Sequence, residues 1–175
     1  MPYAPAATAR STSACRNPGL QSLPRYSAMA LDFDRSILGQ VFDTTDFPPV
    51  TKEEILNFAA ALGETNPLYT DEAAAAQSPY GGLVAPPTFV TKLRAKKFTP
   101  EHLPRFGKIG FDGGRDVELH APVRPGDVLT MVSTIHDIYE KTGRTGSMYF
   151  IVIRNEVTNQ QGAKVAVIDH RIMQR

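Results

Sequence analysis

Few side chains in this sequence are equipped for chemistry. Glu64 and Tyr69 lie five residues apart in the segment Gly63-Glu64-Thr65-Asn66-Pro67-Leu68-Tyr69. A carboxylate at neutral pH accepts protons and hydrogen bonds. A phenol, with a pKa near about 10, is a poor base there. The histidines, His102, His120, His136 and His170, are scattered, and their spacing matches no metal motif. His136 and His170 fall in strand-like runs, where a surface or core-edge histidine is the ordinary finding. Cys15 is the single cysteine, which excludes an intrachain disulfide and a zinc cluster. It sits in an atypical N-terminal segment, which argues against a nucleophile. No glycine-rich phosphate loop follows a strand and opens a helix. No metal or cofactor is expected.

The elements that position these groups fall into two halves. Thr51 with Glu54 three residues on forms a capping box, Ile55, Phe58, Ala59 and Leu62 keep helical spacing, and Gly63 ends the run. Asp71 caps a short alanine-rich helix over 72–77. Ser78 to Pro87 is a loop rich in proline and glycine. Pro87 suits the first turn of a further helix, predicted from Thr88 to Phe98. Pro86 and Pro87 carry no N–H, so Thr88 and Phe89 are the donors left at that helix start. The second half is β-prone. Val117 and Leu119 alternate with polar residues before the turn at Val123–Asp127. Runs follow over 128–139, 147–157 and 163–173, separated by turn-like Lys141–Gly146 and Asn159–Gly162. Gly113-Gly114 after Asp112 reads as a bulge or turn. Helices first and hairpin-linked strands later predict an α+β fold with an antiparallel sheet, one face covered by the helix that starts near Pro87.

The 175 residues are 42% hydrophobic and 21% charged, with net charge +1. That suits one domain with a real core, assigned to residues 32–175. Nothing in the charge points to nucleic acid or a membrane surface, and no apolar run is long enough to span a membrane. Residues 1–31 hold no Asp or Glu but carry Arg10, Arg16 and Arg25 among Ala, Ser and Pro. Three readings stay open: a disordered tail, an extension upstream of a true start at Met29, or a transit peptide. The first two place the protein in the cytoplasm, the third in the mitochondrion.

Four motifs in order carry a resemblance. They are Gly63–Tyr69, followed by Asp71 and its alanine-rich turn; Tyr80-Gly81-Gly82-Leu83-Val84-Ala85-Pro86-Pro87-Thr88-Phe89; His120-Ala121-Pro122-Val123-Arg124-Pro125-Gly126-Asp127; and the turn around Gly162. Together they resemble the N-terminal hotdog domain of the MaoC-like hydratase/dehydratase superfamily. They are similar above all to the non-catalytic subunits of mycobacterial (3R)-hydroxyacyl dehydratases and to the dehydratase-like domains of type-I fatty acid synthases. The resemblance covers roughly Asp32 to the C-terminus. It implies a hotdog fold, an antiparallel sheet wrapped around a central helix and dimerised through edge strands. It implies acyl thioesters of CoA or acyl carrier protein as ligands, and hydration of trans-2-enoyl thioesters or the reverse as the reaction.

Active relatives place an Asp and a His five residues apart, in a Gly-Asp-x-Asn-Pro-x-His segment. Here Glu64 stands at the Asp position and Tyr69 at the His position, while Asn66 and Pro67 are kept. Hydration needs a base for water, a proton for Cα, and donors for the thioester oxygen. Tyr69 removes the obvious base. The resemblance implies catalytic-position residues Glu64, Asn66 and Tyr69, in degenerate form, and substrate contacts at Gly82, Thr88 and Phe89. The basic stretch Lys92, Arg94, Lys96 and Lys97 is a solvated helix face or a contact for a CoA phosphate or an acidic carrier protein. Three functions stay open: a partner subunit beside a catalytic hotdog chain, an autonomous hydratase using Glu64 and Tyr69, or a homodimer that binds acyl-CoA without turnover. A thioesterase of the same fold would need a nucleophile or base that nothing announces.

Overall fold

The β-prone runs of the second half become the long strands of one antiparallel sheet. The structure, a computed structural model, describes residues 31–144 and 146–175. The readings of 1–31, apart from Leu31, lie outside the described residues. Leu31–Arg175 forms one compact unit. In chain order it contains β1 (Val41–Asp46), α1 (Lys52–Ala61), α2 (Pro67–Thr70), α3 (Glu72–Ala76), β2 (Gly110–Leu119), β3 (Thr130–Gly143), β4 (Gly146–Thr158) and β5 (Lys164–Gln174). Short 3-10 segments occupy Arg35–Ile37 and Pro87–Lys92. The five strands lie in the order β1-β3-β4-β5-β2, every neighbour antiparallel.

Period-2 patterning sets which face is buried. Along β3, Met131, Ser133 and Ile135 point into the core. A bulge between Ile135 and Asp137 then shifts the register, so that Ile138 resumes the inward face. A second register shift falls between Asp112 and Arg115, at the Gly113-Gly114 pair expected to form a bulge or turn. The turn β4–β5 closes on Asn159, whose side chain accepts from the N–H groups of Gln161 at 3.1 Å and Ala163 at 2.9 Å.

Helical cover comes from two places. Thr51 caps α1, its Oγ1 accepting from Glu54 N–H at 3.1 Å. The other half of the expected capping box is not made, because the Glu54 carboxylate instead accepts from Lys92 Nζ. Ile55 and Ala59 of α1 are fully buried. With Phe89 and Val90 of the 3-10 segment, Ile55 shares one core with Met131, Val157, Val165 and Ile168 of the sheet. Phe58 and Phe89 meet edge to face, with centroids 5.3 Å apart.

The helix predicted over 88–98 is corrected. The segment is 3-10, ends at Lys92, and passes into extended backbone at Leu93 (φ −60°, ψ 137°). Local preference contributes, since Thr88, Val90 and Thr91 are β-branched. A longer-range contact decides it. The Lys96 N–H donates to Thr45 Oγ1 at 2.9 Å and to Asp43 Oδ2 at 3.1 Å, both buried on β1. A helix through Lys96 would leave those buried acceptors without this donor.

On the sheet, Arg154 of β4 grips Asp169 of β5 through two hydrogen bonds of 2.8 and 2.7 Å. The Arg154 bond holds the Asp169 carboxyl below the ordinary Asp range. Asp169→Asn is expected to lower stability by about 1–2 kcal/mol at pH 7 in urea unfolding. A depressed folded pKa stabilises above the unfolded value, so the gap between wild type and variant should close as pH falls below about 4.

Candidate active site: a cavity at the Tyr69 turn

The Gly63–Tyr69 turn is built from its own side chains. Leu62 caps the C-terminus of α1 and Gly63 turns the chain with φ 67°, a conformation that glycine adopts at little cost. Glu64 Oε1 then accepts from the N–H groups of Thr65 and Asn66, both at 3.1 Å. Asn66 Oδ1 accepts from Leu68 N–H at 3.0 Å and so caps α2, with Pro67 in its first turn. The two most recognisable polar residues of the motif are thus engaged by the backbone beside them. Neither lines a cavity among the described pockets.

Tyr69 does. It is half-buried on α2 and forms the wall of a cavity of about 260 Å³ with Tyr80, Pro86, Pro87, Leu119 and His120. Three anchors bring these residues together. Tyr80 is positioned by its N–H donating to Ser78 Oγ at 3.2 Å, and by Arg124 Nη1 donating to its carbonyl at 2.8 Å. Ala85 N–H donates to Val123 O at 2.8 Å, which fixes the strip leading into Pro86 and Pro87. His120 leaves β2 with its N–H on Val165 O at 2.9 Å. The Pro125-Gly126-Asp127 turn supports the Arg124 end. Asp127 Oδ2 accepts from Arg124 N–H at 2.7 Å, and Gly126 takes φ 89°.

The other predicted contacts separate. Gly82 is half-buried in the loop, and a Cβ there would meet nothing within 4 Å. Thr88 is exposed in the first turn of the 3-10 segment. Phe89 is 1% exposed in the core, and its N–H donates to Pro86 O at 2.9 Å. Of the two backbone donors expected there, one is therefore used inside the turn. Tyr80 and His120 are cavity residues that residue-type reasoning passed over. Both stand in quoted motifs, which was the available signal. His120 Nε2 lies 3.5 Å from Glu118 Oε1, so an imidazole with a carboxylate neighbour borders the cavity.

The lining has phenols, an imidazole and apolar walls, but no carboxylate. It suits a short acyl or thioester group better than a charged one. Among the described residues no group of three or more His, Cys, Asp or Glu is placed to hold a metal. No helix of the described residues is long and apolar enough to cross a membrane.

Known proteins resemble this chain in sequence and in fold. A family model described as "FAS1-like, dehydratase domain region" matches residues 36–168. A UPF0336 protein of Streptomyces avermitilis is 34% identical over 153 residues, covering 84% of this chain and 97% of that protein. Among solved structures, the C-terminally truncated HadBC (3R-hydroxyacyl-ACP dehydratase) complex from Mycobacterium tuberculosis aligns with TM-score 0.60 and 28% identity. That match covers 78% of this chain and 96% of the other. A MaoC-like dehydratase from Rhodospirillum rubrum aligns with TM-score 0.58 and 25% identity, covering 78% and 91%.

Proposed function

The chain belongs to the FAS1-like dehydratase-region family and has the α+β hotdog fold of MaoC-like proteins, and on that premise we propose that it is the non-catalytic half of a (3R)-hydroxyacyl-thioester dehydratase. In this reading it binds an acyl-CoA or acyl-carrier-protein thioester beside a second hotdog chain that supplies Asp and His. One observation carries it. The Glu64 carboxylate is bonded to its own turn and is not on the cavity wall, and the residue that is there, Tyr69, brings a phenol where active relatives have an imidazole. Deprotonating water needs a base at the reacting centre, and these two positions do not supply one.

The remaining groups suit binding. Tyr69 and Tyr80 offer hydroxyls and ring faces to a thioester. Thr88, next to the Pro86-Pro87 wall, keeps a first-turn N–H for the thioester oxygen. Gly82 leaves the loop open to an approaching chain. Phe89 seats the turn from the core. Association is expected through β2, whose ten residues are all exposed along an edge of the sheet and include Phe111 and Leu119. A homodimer or a heterodimer satisfies that edge. The HadBC neighbour is a complex, which favours the heterodimer. The likeness to a bacterial protein, that of Streptomyces avermitilis, favours a cytoplasmic site.

A second reading has its own observation. His120 with Glu118 beside it could serve an autonomous hydratase as an imidazole base. Assays separate the two. Purified alone, the chain is expected to leave crotonyl-CoA unhydrated above background. Co-purified with a host hotdog chain that holds an intact Asp/His pair, it should give turnover that the partner alone does not reach. Turnover by the isolated chain that His120→Gln abolishes would establish the second reading. Saturable acyl-CoA binding, with no partner recovered and no turnover, would make it a binding homodimer.

A further inference from the structure

The basic stretch at the end of the 3-10 segment does not reach the Tyr69 cavity. Two of its charges are matched: Lys92 by Glu54, and Lys97 by Glu101 at 3.0 Å. Arg94 is not. Its Nη1 donates to the carbonyls of Thr91 at 2.6 Å and Leu93 at 3.0 Å. Arg115, from β2, donates its own Nη1 to the same Thr91 carbonyl at 3.2 Å. The two nitrogens are therefore less than about 6 Å apart. Among the described residues neither guanidinium makes an ion pair, and Arg115 meets the Asp112 carboxylate only as a longer-range charge. Like charges this close repel, and an anion seated between them removes the repulsion while accepting from both.

What lies below the pair adds a second observation. Arg94 and Arg115 border a small cavity of about 40 Å³ floored by Asn155 and His170. His170 is 6% exposed, and the Phe98 ring lies 5.4 Å from its ring. Its Nε2 is 3.1 Å from Asp112 Oδ1. Asp112 is engaged by Gly114 N–H at 2.8 Å and by His170. The Gly114 bond, then the His170 bond, lower its carboxyl below the ordinary Asp value. It therefore orients His170 and does not bridge to Arg115. Both arginines line this cavity and are exposed to solvent.

We propose that Arg94 and Arg115, converging on the Thr91 carbonyl above buried His170, form a binding site for a small oxyanion, a phosphate or carboxylate group. Four strand positions separate Arg115 from Leu119, which places the site about 13 Å along β2 from the Tyr69 cavity. A CoA or carrier-protein thioester carries phosphate on an extended arm, and a free anion is the other source. The choice between these sources rests on the thioester reading; the site does not. Edge pairing of β2 would use its main chain and leave the Arg115 side chain on the sheet face.

Nitrogen-15 NMR of the full chain tests this without any turnover assay. Inorganic phosphate is titrated at neutral pH, with chloride holding the ionic strength constant. Saturating shifts are expected at the Arg94 and Arg115 Nε–H groups, with the Thr91 and His170 signals following. Arg94→Gln and Arg115→Gln should each weaken the apparent affinity about tenfold or more. Both positions are exposed, and an unchanged amide spectrum elsewhere confirms the fold of each variant. Shifts that rise linearly with phosphate, or saturation that Arg115→Gln leaves unaltered, would overturn the proposal. A parallel titration with CoA names the source. Half-saturation about tenfold below that of phosphate, lost in the same variants, assigns the carrier phosphate. Equal affinities assign a free anion. Either result supports the site, and neither depends on whether the chain has a catalytic partner.

Discussion

Phe89→Ala is expected to lower the stability of this protein by about 3–5 kcal/mol, read from urea unfolding monitored by circular dichroism. The ring is 1% exposed, stands edge to face with Phe58, and lies under the Lys92 ammonium at 4.2 Å. It is the largest fully buried side chain among the described residues and joins the 3-10 segment to α1. Removing it leaves a cavity and loosens the strip that carries Pro86 and Pro87. Domains of this size are stable by about 5–15 kcal/mol, so the loss is a large share of the total. Phe89→Leu, which keeps most of the volume, should cost about 1–2 kcal/mol. The resemblance had implied a substrate contact at Phe89. A loss below about 1 kcal/mol for alanine, together with weakened acyl-CoA binding, would return the ring to the ligand surface. The expected large loss makes Phe89 a support of the site instead.

How far the sequence revealed this fold depends on whether apolar side chains set each element. The helix at 51–62 was legible because Thr51, Ile55, Ala59 and Gly63 each do there what their types dictate. The strands after Thr130 were legible from β-branched runs and from the Asn159 turn. β1 was not. Its inward positions are Asp43 and Thr45, which satisfy each other at 2.7 Å and take the Lys96 N–H. A buried polar pair leaves no hydrophobic period to read. The first half of β2 was hidden for a different reason. All ten of its residues are exposed, and its pairing with β5 is what makes it a strand. The 88–98 helix failed against a contact about fifty residues away in sequence, which no local window contains.

The site divides in the same way. The Gly63–Tyr69 motif located the turn, and Tyr69 lines a cavity there. It also suggested that Glu64 and Asn66 act with Tyr69, whereas their hydrogen bonds run to neighbouring backbone groups. Tyr80 and His120 come from segments 40 residues apart, which the Arg124–Tyr80 and Ala85–Val123 bonds bring together. Two histidines that type and spacing left as ordinary acquire neighbours in three dimensions. His120 meets Glu118, and His170 meets Asp112 beneath two arginines.

The degenerate motif can be tested by restoring it. The double change Glu64→Asp with Tyr69→His returns the residue types of active relatives, and we expect it to raise crotonyl-CoA hydration about a hundredfold over the unmodified chain. Tyr69 already stands on the cavity wall, so an imidazole there faces the space where water and the enoyl thioester would meet. An Asp at 64 is one methylene shorter but still reaches the Asn66 N–H two residues on, so the turn should hold and stability should change by less than about 1 kcal/mol. Tyr69→His alone supplies the base without an orienting carboxylate of the right length and should recover only part of the gain. A misplacement of about 1 Å costs on the order of a hundredfold, which is why the two changes are expected to act together. If the double variant folds and stays silent, the Pro86-Pro87 wall and its single remaining donor at Thr88 limit the reaction, and the pocket as well as the pair has drifted. If the unmodified chain turns over strongly and Glu64→Gln or Tyr69→Phe abolishes it, the partner-subunit reading fails. Glu64 would then have to leave its backbone partners and swing to the cavity, and the protein would be an autonomous hydratase with a variant acid–base pair.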